Sequence, residues 1–204
     1  MILQKSNRQY PEIQEYDEIK FIISDSKKAM TTGLDIHIGD ITEFKADAIV
    51  NASDAELTPG GGVSGAIYTA AGPEMEREAA RIAKKTGGCP TGECRVTGGY
   101  NLPAEFCIHC CGPVWKGGNS NEADLLASCY VTALELASEK SLSHIAFPAI
   151  SAGIFGYPPE KAAEIAIDTI SRQLEKLEKP DRVTLVFLNE EQARPAKEIL
   201  EKKA

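Results

Sequence analysis

The sequence predicts an α/β fold built on a largely parallel sheet. Short apolar runs typical of strands alternate with longer stretches in which apolar residues recur at helical spacing, from about residue 34 to the end of the chain. No repeat or low-complexity segment interrupts this order. The chain has 204 residues, of which 43% are hydrophobic and 25% charged, enough for one domain with a sizeable core. We expect that domain over residues 33–204, after an N-terminal extension over residues 1–32.

Apolar runs rich in β-branched and aromatic residues predict the strands of the sheet. A run at Ile19 to Ile23, inside the more polar first part of the chain, predicts an edge strand or an arm. The strands of the main sheet are predicted, in chain order, at Leu34 to Ile38, Ala48 to Val50, Cys94 to Thr97, Phe106 to Cys110, Ile145 to Phe147 and Val183 to Leu188.

Proline and glycine mark the ends of the predicted helices. Pro73 can open a helix that a glycine pair ends, and another helix is predicted from Pro158. The last helix is expected from about Glu190 to Lys202, and Pro195 should bend it or delay its start.

A further helix lies between these, and its start is predicted to be capped by Asn121 and Asp124. Apolar spacing predicts which of its residues face the core. They are Leu125, Cys129, Ala133, Leu136 and Ala137.

Charge and composition exclude several classes of protein. The net charge of −8 argues against a nucleic-acid-binding surface, which needs clustered lysines and arginines. No stretch approaches the roughly 20 apolar residues of a membrane helix, so we expect a cytoplasmic protein without a membrane partner. In that compartment the cysteines should be reduced core residues. They are Cys89, Cys94, Cys107, Cys110, Cys111 and Cys129.

The segment from Cys107 to Cys111 raises the question of a metal site, since a Cys-x-x-Cys spacing encloses His109. Zinc normally requires a second ligand pair at similar spacing. Cys107 and Cys110 should also point to opposite faces of a strand, because their separation is odd. We therefore predict no metal and interpret His109 as a hydrogen-bonded structural residue instead of a catalytic base.

Loops that follow strands are where an open α/β sheet binds ligands. Asp40 lies directly beyond the first predicted strand, where its carboxylate could accept a hydrogen bond from an exocyclic amine. The alternative is a carboxylate that caps a turn, the commoner role for an aspartate in such a tetrapeptide.

Two further strand-to-helix junctions are rich in small residues. Gly60-Gly61-Gly62-Val63-Ser64 would let the backbone approach a diphosphate closely at a helix N-terminus. Ser151-Ala152-Gly153-Ile154-Phe155-Gly156 repeats the arrangement, with a hydroxyl at Ser151 and a flat apolar ring at Phe155. A flexible loop is the alternative for the first segment, but the pair predicts an anion site.

These segments resemble the macro domain family, in the right order over roughly residues 34 to 190. The resemblance is nearest to the bacterial O-acetyl-ADP-ribose deacetylase branch, and it implies a three-layer α/β/α sandwich with a mixed, largely parallel central sheet that binds ADP-ribose without a cofactor. The segments that carry it are Gly39-Asp40-Ile41-Thr42, Ala48-Ile49-Val50-Asn51-Ala52, Gly60-Gly61-Gly62-Val63, Cys89-Pro90-Thr91-Gly92, Gly112-Pro113-Val114-Trp115, Phe147-Pro148-Ala149-Ile150-Ser151-Ala152-Gly153 and Ile154-Phe155-Gly156-Tyr157-Pro158.

The resemblance also implies a role for each site residue. Asp40 would hold the adenine amino group, and Ile41 would add a backbone contact. The first glycine loop would lie along the diphosphate and terminal ribose, near Asp54, through Gly61, Gly62, Val63 and Ser64. The second loop would close over the phosphates through Ser151, Ala152, Gly153, Ile154 and Phe155.

The chain departs from the family where hydrolysing members carry their catalytic residues. Asp54 stands where they usually have a second asparagine, and Ser64 and Tyr68 stand where they have an aspartate and a histidine. An aromatic residue that often ends the last core strand is also replaced, by the segment Phe187-Leu188-Asn189. A serine hydroxyl cannot act as a base comparable to a carboxylate near neutral pH.

Three functions follow from these departures. A module that binds free or protein-linked ADP-ribose is favoured. A hydrolase of O-acetyl-ADP-ribose or of mono-ADP-ribosylated protein is the alternative, with Asp54 as a relocated base and Ser64 at the family's aspartate position. A scaffold that has lost its ligand is the third.

Overall fold

The computed structural model describes residues 33–203 as a six-stranded mixed sheet with helices on both faces. The predicted run Ile19 to Ile23 and the rest of the N-terminal extension lie outside the described residues. The elements are β1 (Leu34–Ile38), β2 (Ala48–Ser53), α1 (Gly62–Ala71), α2 (Pro73–Thr86), β3 (Cys94–Gly98), β4 (Phe106–Cys111), α3 (Glu122–Glu139), β5 (His144–Phe147), α4 (Pro159–Leu174), β6 (Arg182–Phe187) and α5 (Glu190–Lys203).

The strand order is β1-β6-β5-β2-β4-β3. All neighbours pair in parallel except β3, which pairs antiparallel with β4 at one edge. The largely parallel sheet predicted from the alternating pattern is therefore confirmed. Parallel strands place their carboxyl ends along one edge of the sheet, and the loops at that edge face a common space.

Two apolar clusters separate the three layers. One face of the sheet packs on α1 and α2 through Ile67, Met75 and Ala79. The other face packs on α3, α4 and α5, where the tilted rings of Tyr130 and Phe147 pack in the interior with centroids 5.2 Å apart. Strand residues alternate between the two clusters, as the pleat requires. The three-layer α/β/α architecture is thus confirmed.

The start and the inward face of α3 differ from the prediction. Asn121 precedes the helix with φ +61°, and its side chain makes no capping hydrogen bond. The fully buried residues include Leu126 and Leu134, while Leu125 and Leu136 are only partly buried. The spacing was therefore correct, but the apolar face is turned by about one residue, because tertiary packing on the sheet and not periodicity alone selects it.

Pro195 lies inside α5 and does not delay its start at Glu190. The first turn closes before the proline is reached, through a hydrogen bond from the Ala193 N–H to the Asn189 carbonyl. Pro195 is buried together with Ala193 and Ala196. Burial of this apolar face offsets the one intrahelical hydrogen bond that proline cannot donate.

The expectation of six reduced cysteines is wrong for Cys94 and Cys110, which form a disulfide. The antiparallel register of β3 and β4 sets the two residues opposite each other, with Cα atoms 4.2 Å apart. Sequence spacing did not indicate this pairing. Cys107 lies in the cluster on the opposite face of the sheet, as its odd separation from Cys110 predicts.

No helix within residues 33–203 combines the length and the apolar character needed to cross a bilayer.

Candidate functional site

A cleft of about 980 Å³ opens at the carboxyl edge of the parallel strands. Every residue predicted for the ligand site lines it. They are Asp40, Ile41, Asp54, Gly61, Gly62, Val63, Ser64, Ser151, Ala152, Gly153, Ile154 and Phe155. The fold therefore brings together segments that are more than 100 positions apart in the sequence, but their contacts with a ligand stay a prediction.

Asp40 serves as a turn cap and also lines the cleft. Its Oδ1 accepts hydrogen bonds from the Thr42 N–H at 2.9 Å and the Thr42 hydroxyl at 2.8 Å. Oδ2 has no hydrogen-bond partner among the described residues, and neither has the Ile41 N–H. The two interpretations of Asp40 are thus compatible, because one oxygen holds the turn and the other stays free to accept a hydrogen bond.

The first glycine loop presents unpaired backbone donors. Within the described part of the chain, no acceptor is bonded to the N–H groups of residues 60 to 64, which lead into and begin α1. No side chain caps this helix and no acidic residue lies in its first turn. An uncapped helix N-terminus with free N–H groups is a site for an anion.

Asp54 holds the start of this loop. Its Oδ1 accepts a hydrogen bond from the Thr58 N–H at 2.8 Å, and its Oδ2 accepts one from the Thr58 hydroxyl. The carboxylate lines the cleft, but both oxygens are engaged in closing the turn that leads to Gly60. This structural role of Asp54 was not predicted from the sequence.

The second loop faces the first across the cleft. The N–H groups of Gly153, Ile154 and Phe155 have no acceptor among residues 33–203, whereas those of Gly156 and Tyr157 bond within the loop. A Cβ atom on Gly61 would lie 2.9 Å from Ile154 Cδ1. The tip of the exposed Ile154 side chain therefore lies against the first loop, and a side chain at Gly61 would require it to shift.

A row of buried polar side chains, joined by hydrogen bonds, lies behind the cleft and was not predicted from the sequence. Asn51 Nδ2 is 3.1 Å from His109 Nδ1 and donates to Ser64 Oγ at 3.4 Å, and His109 Nε2 is 2.9 Å from Thr97 Oγ1. Asn51 and His109 are fully buried. Parallel pairing of β2 with β4 sets them side by side in register, a relation that spacing along the chain does not indicate.

His109 is a hydrogen-bonded structural residue, as predicted. Burial lowers its pKa to about 4, against a smaller opposing effect of the negative charge on Glu78. A low pKa keeps the ring neutral, so one ring nitrogen donates a hydrogen bond and the other accepts one. No group of three or more His, Cys, Asp or Glu side chains within the described range is arranged to hold a metal ion.

We expect His109 to make the fold less stable in acid. Its pKa is about 4 when folded and near 6.5 when unfolded, so its contribution is fully present above pH 6.5 and is lost as the pH falls toward 4. The contribution of His109 to the free energy of unfolding should drop by about 2 kcal/mol between pH 7 and pH 5. Urea unfolding at both values would measure it.

The matched control for this measurement is exposed His37. His109→Gln should make the dependence of unfolding free energy on pH less steep, whereas His37→Gln should leave it as in the unsubstituted protein. Equal slopes in the two variants would contradict the assignment of acid sensitivity to His109.

Three buried side-chain oxygens around the cleft have no partner among the described residues: Asn51 Oδ1, Ser53 Oγ and Ser151 Oγ. Ser53 and Ser151 line the cleft and are almost completely buried. Buried polar groups are nearly always hydrogen-bonded, and a ligand in the cleft would supply the missing partners. Ser53 was missed in the sequence, where a serine beside Asn51 carries no distinct signal.

Tyr68, for which the resemblance implied a histidine in hydrolysing members, does not line the cleft. Its hydroxyl donates to the Leu57 carbonyl at 2.7 Å, and its ring lies 5.6 Å from the His109 ring, centroid to centroid. Burial, together with nearby negative charges, raises its pKa. The hydroxyl therefore stays protonated and occupied.

Leu188 lies at the other end of the cleft, in the segment Phe187-Leu188-Asn189 that follows the last strand. Its side chain lines the cleft and is 66% exposed, and its N–H donates to Gln192 Oε1 at 3.3 Å. The pairing of Ile38 with Phe187 places Leu188 next to the Asp40 turn. An apolar surface and a free carboxylate oxygen thus share this end.

Comparison with known proteins agrees with this architecture. The Macro domain family model matches residues 50–166. An O-acetyl-ADP-ribose deacetylase from Escherichia coli is 43% identical over 164 residues, which cover 80% of this chain and 93% of the relative.

Solved structures superpose closely as well. A macrodomain mutant from Oceanobacillus iheyensis with ADPR has a TM-score of 0.81 and 39% sequence identity, and the match covers 85% of this chain and 95% of that macrodomain. A Trypanosoma brucei macrodomain in complex with ADP-ribose has a TM-score of 0.76 and 35% sequence identity, and the match covers 84% of this chain and 71% of the Trypanosoma brucei chain. The chain belongs to the macro domain family.

Proposed function

We propose that this chain binds ADP-ribose, free or attached to a protein, in the cleft at the carboxyl edge of its sheet. The observation that carries the proposal is the set of unpaired backbone N–H groups on two loops that face each other, one of them at an uncapped helix N-terminus. Such donors bind a diphosphate without lysine or arginine, in keeping with the net charge of −8. Relatives of known structure with ADPR and ADP-ribose support the choice of ligand.

The two ends of the cleft differ in a way that orients the ligand. Adenine would lie at the Asp40 end, with its amino group donating to Oδ2 and one ring face on Leu188. The terminal ribose would lie toward Ser64 and Asp54, where Ser53 Oγ lacks a partner. The diphosphate then falls between the two loops.

Binding without turnover is the form of the proposal that the side chains favour. Both oxygens of Asp54 are bonded to Thr58, Ser64 carries no negative charge, and the Tyr68 hydroxyl is bonded to Leu57. Asp54 is the one carboxylate among them, and its hydrogen bonds to Thr58 give it a role in the turn that needs no catalysis. The E. coli relative's name supports hydrolysis as the second candidate, and Asp54 is the residue that would carry it.

We further propose that residues 33–204 are the macro domain, that residues 1–32 extend it, and that the protein is cytoplasmic. Four cysteines that stay as thiols support this location, since thiols persist in a reducing compartment. The disulfide between Cys94 and Cys110 counts against it.

Calorimetric titration with ADP-ribose tests the function, followed by product assays on O-acetyl-ADP-ribose and on a mono-ADP-ribosylated protein. Saturable binding with no product is the expected result. No binding at millimolar ADP-ribose would contradict the proposal and favour the scaffold that has lost its ligand.

Asp40→Ala should weaken ADP-ribose binding about tenfold or more, because a hydrogen bond to a charged group is lost together with the turn cap. Asp40→Asn separates the two effects, since the amide retains one oxygen for Thr42 but no second acceptor. Calorimetry should show most of the loss already in Asp40→Asn and a somewhat larger loss in Asp40→Ala, with Asp124→Asn at an exposed position of α3 as the control. Full affinity in Asp40→Asn would place adenine elsewhere.

A further inference from the structure

Glu122 is a buried carboxylate whose role the proposed function does not yet use. It begins α3, and its side chain is almost completely buried although it carries a charge. Oε1 accepts hydrogen bonds from the Lys116 N–H at 3.0 Å and the Gly118 N–H at 3.1 Å, and Oε2 accepts one from the Ser120 N–H. One side chain thus satisfies three backbone donors of the segment from residue 113 to 120, called here the Trp115 loop.

The charge of Glu122 is retained in this setting. Desolvation opposes ionisation, but the hydrogen bonds from backbone N–H groups outweigh it and lower the pKa of the carboxyl. Hydrogen bonds from neutral donors to an ionised acceptor are stronger than those between neutral groups. The Trp115 loop is therefore organised around this carboxylate.

The Trp115 loop in turn contacts the second loop of the cleft, residues 151–156. The backbone N–H of Trp115 donates a hydrogen bond to the Phe155 carbonyl at 2.9 Å, and the indole ring of Trp115 packs on the Tyr157 ring with centroids 4.6 Å apart. Lys161 Nζ lies 5.2 Å from the indole centroid, and a Cβ on Gly118 would come within 2.9 Å of the ring. The indole is held on several sides.

We propose that Glu122 is a positioning residue for the phosphate end of the ADP-ribose site, acting through Trp115 on the loop from Ser151 to Gly156. This inference rests on the proposed function. The free N–H groups of Gly153, Ile154 and Phe155 can converge on a diphosphate only if that loop is held in place. The hydrogen bond from the backbone N–H of Trp115 holds the loop at the Phe155 carbonyl. Donors that are ordered before binding add affinity because less entropy is lost on association.

The test compares two ligands across matched variants of the full chain. Glu122→Gln keeps the size of the side chain but removes the negative charge and one acceptor oxygen. We expect it to weaken ADP-ribose binding about tenfold or more. Adenosine, which lacks the diphosphate and occupies the Asp40 end, should bind as it does to the unsubstituted chain in an NMR titration. Glu135→Gln on an exposed position of the same helix is the control.

Two further readouts report on the loops directly. Trp115 is the sole tryptophan of the sequence, so the intrinsic emission maximum reports on its packing. Glu122→Gln should shift that maximum and speed amide hydrogen exchange in residues 113–120 and 151–156, while residues 48–53 of β2 exchange as before. These two readouts need no ligand and distinguish failure of this inference from failure of the proposed function.

Unchanged ADP-ribose affinity in folded Glu122→Gln would overturn the inference. A parallel loss of adenosine and ADP-ribose binding would also overturn it, since general destabilisation and not loop positioning would then be the cause. If the unsubstituted chain bound adenosine but not ADP-ribose, the proposed function would fall, and this inference with it, even if exchange in both loops still responded to Glu122→Gln.

Discussion

Gly65→Ala is expected to destabilise the protein by about 2 kcal/mol and to weaken ADP-ribose binding by roughly 10–100-fold. Gly65 lies in α1, and a Cβ atom there would be 2.5 Å from the Gly60 carbonyl oxygen. That oxygen belongs to the backbone, so the whole glycine loop has to move to relieve the contact. The displaced N–H groups would then lose alignment with the diphosphate. Urea unfolding and calorimetric titration of the same preparation measure the two effects.

Gly60→Ala is the matched stability control. A Cβ atom at Gly60 meets only Ser64 atoms at 3.8 Å, an ordinary contact, and its backbone conformation is open to any residue. Its free energy of unfolding should stay close to that of the unsubstituted chain. If Gly65→Ala were equally stable and bound ADP-ribose with full affinity, the close approach of the loop to α1 would not matter for the site.

The elements and the loops of this fold could be predicted because each depends on local signals. Apolar runs predicted the strands, and the glycine runs between strand and helix predicted where the cleft would open. The strand order, the pairing of Asn51 with His109 and the disulfide between Cys94 and Cys110 depend on register across the sheet. No pattern along a single chain encodes that register.

Charged side chains with a structural role were the hardest to interpret. Glu122 reads as an acidic residue in the first turn of a helix, which suits the helix dipole and needs no other explanation. Only the folded loop shows that its carboxylate accepts hydrogen bonds from three backbone N–H groups. Asp54 likewise reads as a free carboxylate in a pocket, and the bond to the Thr58 hydroxyl becomes visible only when the turn is formed.

Asp54→Ala should reduce the free energy of unfolding by about 2 kcal/mol and ADP-ribose affinity about tenfold, because both hydrogen bonds to Thr58 are lost and the turn leading to Gly60 loosens. Asp54→Asn retains an acceptor for the Thr58 N–H, so it should bind ADP-ribose nearly as the unsubstituted chain does. Thr58→Ala removes only the hydroxyl partner and should fall between the two. Thermal unfolding and calorimetry across this series separate the turn from the charge.

The same series decides between binding and hydrolysis. If Asp54 were a relocated base, Asp54→Asn would lower turnover of O-acetyl-ADP-ribose by about 10²–10⁴-fold while leaving ADP-ribose affinity nearly intact. If Asp54 only closes the turn, any turnover should follow affinity across all three variants, because no chemical step uses the carboxylate. We expect the second pattern, since the hydrogen bonds from the Thr58 N–H and hydroxyl give the carboxylate a structural role, and protonating it would weaken the turn that leads to Gly60.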